Sequence, residues 1–219
     1  SWNRSFGLHS FDVLAGHEFY AYSYEYLKAG KTNLVDGILE LRPGTTLYAA
    51  DSYTDKYRIE SWLGRFNYNY DEKYYFSASL RTDGSSRFHK DHRWGTFWSI
   101  GGNWRISKEA FMEDVKWIDN LKLRFSWGQT GNRDIGRYAA FSRLTITNVI
   151  QNGVNYKGVY PSGLANRDLK WETTTGLNFG VDFGLFNNRL SGSVELYKNK
   201  TNDLLMDRAM PEISGYGSI

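Results

Sequence analysis

A period of two runs through this chain over unusual lengths. In "ESWLGRFNYNY", Trp62, Gly64, Phe66, Tyr68 and Tyr70 take alternate positions, with Arg65, Asn67 and Asn69 between them. Successive side chains of a strand point to opposite faces, so the run has an apolar and a polar side. Asp71, Glu72 and Lys73 form a tight turn. "YYFSASLRTD" then returns, with Tyr74, Phe76, Ala78 and Leu80 opposed to Tyr75, Ser77, Ser79, Arg81 and Asp83. The two segments predict a hairpin. The same alternation carries Leu121, Leu123, Phe125 and Trp127, then Leu177, Phe179, Val181 and Phe183, then Leu190, Val194 and Leu196. The stretch from Trp94 to Ile106 and the early "HSFDVLAGHEFYAYSYEYL" also read as strands. Several runs reach ten residues or more, where a typical strand has about five or six.

Connections alternate in length. The turns at Asp71–Lys73 and Phe186–Arg189 are short, whereas Lys28–Lys56, Gly84–Arg93 and Gly131–Lys170 are long. Followed up and down, the chain places the long connections on one side. The exception on the short side, "ISKEAFMEDVKWIDN", reads as a brief helical or irregular excursion. Aromatic residues make up 17% of the chain, and Tyr68, Tyr70, Tyr74 and Tyr75 gather beside a short turn while Trp94 and Trp171 both lie at the other strand ends, away from that turn. Such placement suits the two interfacial belts of a membrane barrel. No window approaches the ~18 consecutive apolar residues of a transmembrane helix. A mean hydropathy of -0.56 does not exclude a barrel, because alternating strands average to a polar value. On pattern alone two architectures stay open: an outer-membrane barrel, and a soluble β-sandwich whose core takes the aromatics.

The segments "YNYDEKYYFSASLRTDGSSRFHKDHRWGTFWSIGGNWRISKEAF", "WIDNLKLRFSWGQTGN" and "LKWETTTGLNFGVDFGLFNNRLSGSVELYKNKTNDLL" occur in this order. Together they closely resemble the SusC/RagA-type TonB-dependent outer-membrane transporters of Bacteroidetes-type Gram-negative bacteria, well from Ile59 to Gly217 and more loosely before. The resemblance implies an all-β fold: an antiparallel transmembrane β-barrel segment with long extracellular loops and short periplasmic turns. About seven strands are legible here, against about 22 for a plugged transporter. The expectation is therefore part of one larger barrel domain spanning residues 1–219, with the plug domain and remaining strands lying outside the chain. Also implied are a SusD-like surface lipoprotein as lid, TonB acting through the plug region, contact with outer-membrane lipid, and import of a glycan or peptide.

Other functions find little support in the residues. The net charge of +3 lacks the concentrated basic field of a nucleic-acid binder, and without cysteine there is neither disulfide nor thiolate metal site. Glu172 and Asp182 share a strand face ~33 Å apart, far beyond the reach of a glycosidase pair. "GQTGN" at Gly128–Asn132 lacks the Lys-Ser/Thr ending of a phosphate loop and reads as a turn. No enzyme, cofactor or metal is expected. His89, Asp91 and His92 sit close together without a further specified ligand, and Asp83-Gly84 reads as turn chemistry for a loop that Arg81, Asp83, Arg87 and Arg93 would hold to the rim.

Substrate contact is expected in the ~40-residue loop Gly131–Lys170, since long loops are often functional. There Tyr138, Tyr156 and Tyr160 could stack on sugar rings, with Asn148, Asn152 and Asn155 as hydrogen-bonding partners. Arg65, Asn67, Arg124, Glu172 and Asn178 are expected to line the lumen or touch the plug.

Overall fold

The computed structural model describes residues 1–38, 40–206, 211 and 213. Where alternation predicts strands, strands form: β1 (Trp2–Phe6), β2 (His9–Thr32), β3 (Thr46–Tyr70), β4 (Tyr74–Ser85), β5 (Trp94–Arg105), β6 (Ile118–Asn132), β7 (Arg143–Gln151), β8 (Val154–Gly163), β9 (Glu172–Leu185) and β10 (Leu190–Asn202). Eight of them make one antiparallel sheet in the order β1-β2-β3-β4-β5-β6-β9-β10, and β7 pairs with β8 alone. The strand count exceeds the expected seven for two reasons. The N-terminal stretch divides into β1 and β2, and the Gly131–Lys170 connection contains a hairpin of its own. Its Asn152-Gly153 corner has φ of 53° and 75°, the left-handed pair that a two-residue hairpin turn demands.

Register aligns like with like. Phe11, Tyr68, Phe76, Gly102, Phe125 and Phe179 lie in one lateral row. One residue along, Asp12, Asn67, Ser77, Gly101, Ser126 and Asn178 form the adjacent row on the other face. The apolar band along β9 runs over nine residues, Leu177–Leu185, about 30 Å of strand. At a tilt of about 40° that projects to about 23 Å, close to the ~25 Å lipid-facing band of a barrel. Aromatic rings edge the band on both sides. At the short turns Tyr70, Tyr74 and Trp104 stack at 6.3 and 6.4 Å. On the far side stand Trp62, against which His17 packs at 4.2 Å, and the edge-to-face pair Trp98 and Trp127.

This surface is not that of a molecule with a core. The accessible area is 16065 Å², whereas a globular monomer of this mass exposes about 10,300 Å². Among the described residues the buried apolar side chains are Phe88, Phe97, Ala140 and Trp171, all at the loop end. The β-sandwich alternative fails on this point, because a sandwich needs a second sheet packed over the first, and the other sheet here is a two-stranded hairpin.

Two expected turns are strand instead. Asp83 and Gly84 lie in β4, and "GQTGN" completes β6. Their glycines serve close packing rather than chain reversal. A Cβ on Gly84 would lie 2.9 Å from the Trp94 ring, and one on Gly131 would lie 2.0 Å from Phe97 Cζ. The expected Lys28–Lys56 loop shrinks to residues 33–45, since β2 and β3 pair out to Thr32 and Thr46. The excursion after β5 is a pair of 3-10 turns, Ile106–Lys108 and Ala110–Met112.

The hairpin of β2 and β3 outgrows its neighbours. β4 accompanies β3 only over Ile59–Tyr70, so residues 46–58 pair with β2 alone and extend about 43 Å beyond. At the base of this extension the open β3 edge is capped by side chains and loop backbone. The Arg58 N–H donates to Ser86 Oγ, the Ser86 N–H to Arg58 O, and the Lys56 N–H to the Tyr138 hydroxyl.

Candidate functional site

The polar face carries ion-pair networks that tie strands together. Arg81 on β4 donates to Asp83 at 2.8 and 3.0 Å, to Glu18 on β2 at 2.9 Å, and to the buried Ser61 hydroxyl on β3 at 3.1 Å. Arg124 on β6 donates to Asp182 on β9 at 2.8 Å and Glu195 on β10 at 2.6 Å. Its Nε is buried with no hydrogen-bond partner among the described residues. Asn67 donates to Asp12 at 3.0 Å, and Arg65 lies 3.9 Å from the same carboxylate. Four of the five expected lumen residues, Arg65, Asn67, Arg124 and Asn178, therefore share this face in the middle of the sheet. Glu172 shares that face but not its middle. It sits at the loop end, where it accepts from Asn132 Nδ2 at 3.3 Å and from the Leu205 N–H at 3.0 Å, fastening the chain that leaves β10.

At the loop rim Phe88, Phe97 and Trp171 form a small core. Trp171 lies 5.3 and 5.2 Å from the two phenyl rings and donates Nε1–H to the Arg93 carbonyl at 3.0 Å. Trp171 is thus buried at the rim rather than exposed in a belt. Phe88 is the one apolar side chain in the run "DGSSRFHKDHR", and it anchors that loop to the sheet. The neighbouring polar groups diverge: His89 faces Asp91 at 3.1 Å, and His92 faces Asp168 at 4.0 Å.

The expected substrate residues are spread over three places. Tyr138 packs against the edge of β3. Tyr156 and Tyr160 share one face of the β7–β8 hairpin, with Val149 and Thr145 opposite them in register. Asn148 and Asn155 belong to the other face, where Asn148 accepts from Lys157 Nζ at 2.7 Å. Asn152 occupies the turn.

A more ordered aromatic array lies on the β2–β3 extension, continuous with the polar face. Tyr20, Tyr22, Tyr24 and Tyr26 recur every second residue of "YAYSYEY" and interleave with Tyr57 and Tyr53 of β3. Ring centroids are 5.7 and 5.1 Å apart around Tyr57, and 5.9 and 4.9 Å apart around Tyr53. Arg137 lies 4.6 Å over Tyr22 and 5.4 Å over Tyr57 and pairs with Asp55. Arg87 lies 4.8 Å over Tyr57 and donates to the Ile135 carbonyl at 2.8 Å. The period-two tyrosines were visible in the sequence as a strand. Their marker as a site is that both faces of that strand lie beyond the apolar band, where an aromatic column has no lipid to meet.

At the opposite end, the turn after β3 is locked to the excursion after β5. Glu109 accepts from the Tyr74 hydroxyl and from Trp104 Nε1 at 2.8 Å, and these hydrogen bonds hold its carboxyl below the usual range. Lys108 bonds Glu72 and lowers that carboxyl likewise.

Comparison with known proteins places this geometry. Residues 1–218 match the family described as TonB dependent receptor-like, beta-barrel. The chain is 35% identical over 218 residues to the TonB-dependent receptor SusC of Bacteroides thetaiotaomicron, covering 95% of this chain and 21% of that protein. Among solved structures it is similar to the RagAB peptide transporter, with a TM-score of 0.87 and 35% identity over 99% of this chain and 24% of that one. The RagAB peptide importer in its closed-closed state gives a TM-score of 0.88. These relatives are receptors and transporters, not enzymes, and the chain spans less than a quarter of their length. With a band of lipid-barrel height on one face, ion-pair networks on the other and a match along its whole length, the chain belongs to the TonB-dependent receptor-like β-barrel family.

Proposed function

We propose that this chain is an arc of a larger barrel in the outer membrane of a Gram-negative bacterium, in a TonB-dependent importer of an oligosaccharide or a peptide. The carrying observation is the sheet itself. One face bears an apolar band of bilayer height edged by aromatics, and the other bears Arg124, Arg81 and their carboxylates facing an interior. Lipid cannot satisfy free backbone groups, so the open edges at β1 and β10 must be paired within a closed barrel. The partly exposed Arg124 side chain is then a contact point for a plug inside it, with Arg65, Asn67 and Asn178 on the same face. A surface lipoprotein partner is supported by the likeness to the RagAB complex, and the loops at the rim are where it would sit. Tyr138, Tyr156, Tyr160, Asn148, Asn152 and Asn155 are the loop candidates for contact with cargo or lid.

The test is fractionation followed by uptake. The receptor is expected in the outer-membrane fraction, and deletion of its gene should abolish growth on one polymeric nutrient while leaving growth on its monomer intact. Recovery in the soluble fraction, or unaltered growth on every polymer tried, would reject the reading.

A further inference from the structure

The tyrosine column divides into two parts. Two of its lower rings, Tyr22 and Tyr57, lie beneath Arg87 and Arg137 and hold the loops to the hairpin, with Tyr20 packed beside Tyr57. The outer part has no such cover among the described residues. Tyr24 is 41% and Tyr53 51% exposed, with Tyr26 stacked on Tyr53 at 4.9 Å. Beyond them a register shift at Gly30/Lys31 turns Tyr48 across the strand. The phenol end of Tyr48 covers Gly30 so closely that a Cβ there would lie 2.5 Å from Cζ and 2.7 Å from the hydroxyl. Gly30 is buried while Tyr48 is 68% exposed. One side of the ring therefore rests on backbone and the rest is open.

The shape and charge of this surface select its occupant. Its rings follow one column along the β2–β3 pair, whose strands are ~4.8 Å apart. A folded protein partner needs about 800 Å² on each side, which favours a thin linear ligand here. An extended peptide would join a strand edge through main-chain hydrogen bonds, but these rings lie on the strand face. Lys28 and Asp51 stand opposite each other between the two ring groups, so the formal charges cancel and an ionic polymer finds no net attraction. What remains is a row of π faces carrying hydroxyls, complementary to sugar rings, whose C–H faces stack and whose hydroxyls bond at the rim.

We propose that Tyr24, Tyr53, Tyr26 and Tyr48 form a stacking track for a neutral linear oligosaccharide. Six residues from Tyr24 to Gly30 span about 20 Å, so the ligand has several sugar units and a monosaccharide cannot bridge the track. The inference rests on the importer reading for the location of the track outside the cell, and not for its chemistry.

The test uses the full-length receptor in detergent on an array of neutral glucan, xylan, mannan and galactan hexasaccharides. The matching monosaccharides and random heptapeptides serve as controls. At least one hexasaccharide should bind, its monosaccharide should not, and Tyr48→Ala and Tyr53→Ala should each weaken binding about tenfold. Tyr48→Phe should keep most of the affinity, whereas Gly30→Ala should lose it by displacing the Tyr48 ring. Binding untouched by all these changes, binding of peptides alone, or no binding by a receptor that resides in the outer membrane would each overturn the track. Fractionation of the same cells separates the two claims: a receptor outside the outer membrane defeats the importer reading, while tyrosine-dependent saccharide binding would still stand.

Discussion

Single residues matter most where the sheet meets its loops. Phe88 is fully buried against Trp171, and it holds a loop otherwise made of polar and small residues. Phe88→Ala is expected to cost about 3–5 kcal/mol of local stability. It should appear in hydrogen exchange as faster exchange over residues 86–93 with the strands unchanged; unchanged loop protection would show that the aromatic cluster does not anchor it. The anchor is readable in sequence terms, because a lone large apolar residue within a polar run has to be buried somewhere. Where it is buried was not readable. Trp171 and Phe97 come from distant segments and meet Phe88 only through the pairing of β5, β6 and β9, and the same pairing took Trp171 out of the belt that its place in the chain suggested.

Turns and hairpins follow local chemistry. Gly153 sits at φ +75°, so Gly153→Val should destabilise the β7–β8 hairpin by about 1–2 kcal/mol. Loss of amide protection confined to residues 143–163 is the expected reading, and equal protection in the variant would refute it. "NG" between alternating residues is a strong hairpin signal, and it lay inside a segment expected to be loop because its length dominated the reading. The turn beyond β3 carries a pH dependence. The folded state lowers the carboxyls of Glu109 and Glu72, so their hydrogen bonds stabilise it above the unfolded carboxylate range. That contribution is lost as pH falls through the depressed folded values. Amide exchange around residues 71–73 and 106–112, compared between pH 7 and the acid side of the carboxylate range, should show selective opening in acid. Glu109→Gln should remove most of that response.

At the scale of the whole molecule the two faces of the sheet are different solvents' surfaces. Phe179 is in the middle of the apolar band and 43% exposed, so Phe179→Arg should cost about 2–4 kcal/mol in a bilayer. Its neighbour Asn178 lies on the polar face, and Asn178→Arg should be tolerated. Urea unfolding of the receptor in lipid vesicles measures both, and equal costs would contradict the assignment of faces. Residues 1–219 by themselves leave β1 and β10 as open edges and an uncovered apolar face, so the isolated chain should aggregate in water and require detergent to remain dispersed.

Alternation alone specified an antiparallel all-β protein, the two characters of its faces and its short turns, because the period of two is a local consequence of strand geometry. The polar identity of Arg65, Asn67, Arg124 and Asn178 followed from it directly. It could not specify how far pairing extends, and so β2 and β3 outran their expected loop, while Gly131 of "GQTGN" and Gly84 proved to admit neighbouring rings instead of turning the chain. The tyrosine column, the Arg137 and Arg87 clamps over it and the Phe88 cluster depend on contacts between residues tens of positions apart. Those contacts follow from register, which is set by the pairing of whole strands and by no single segment.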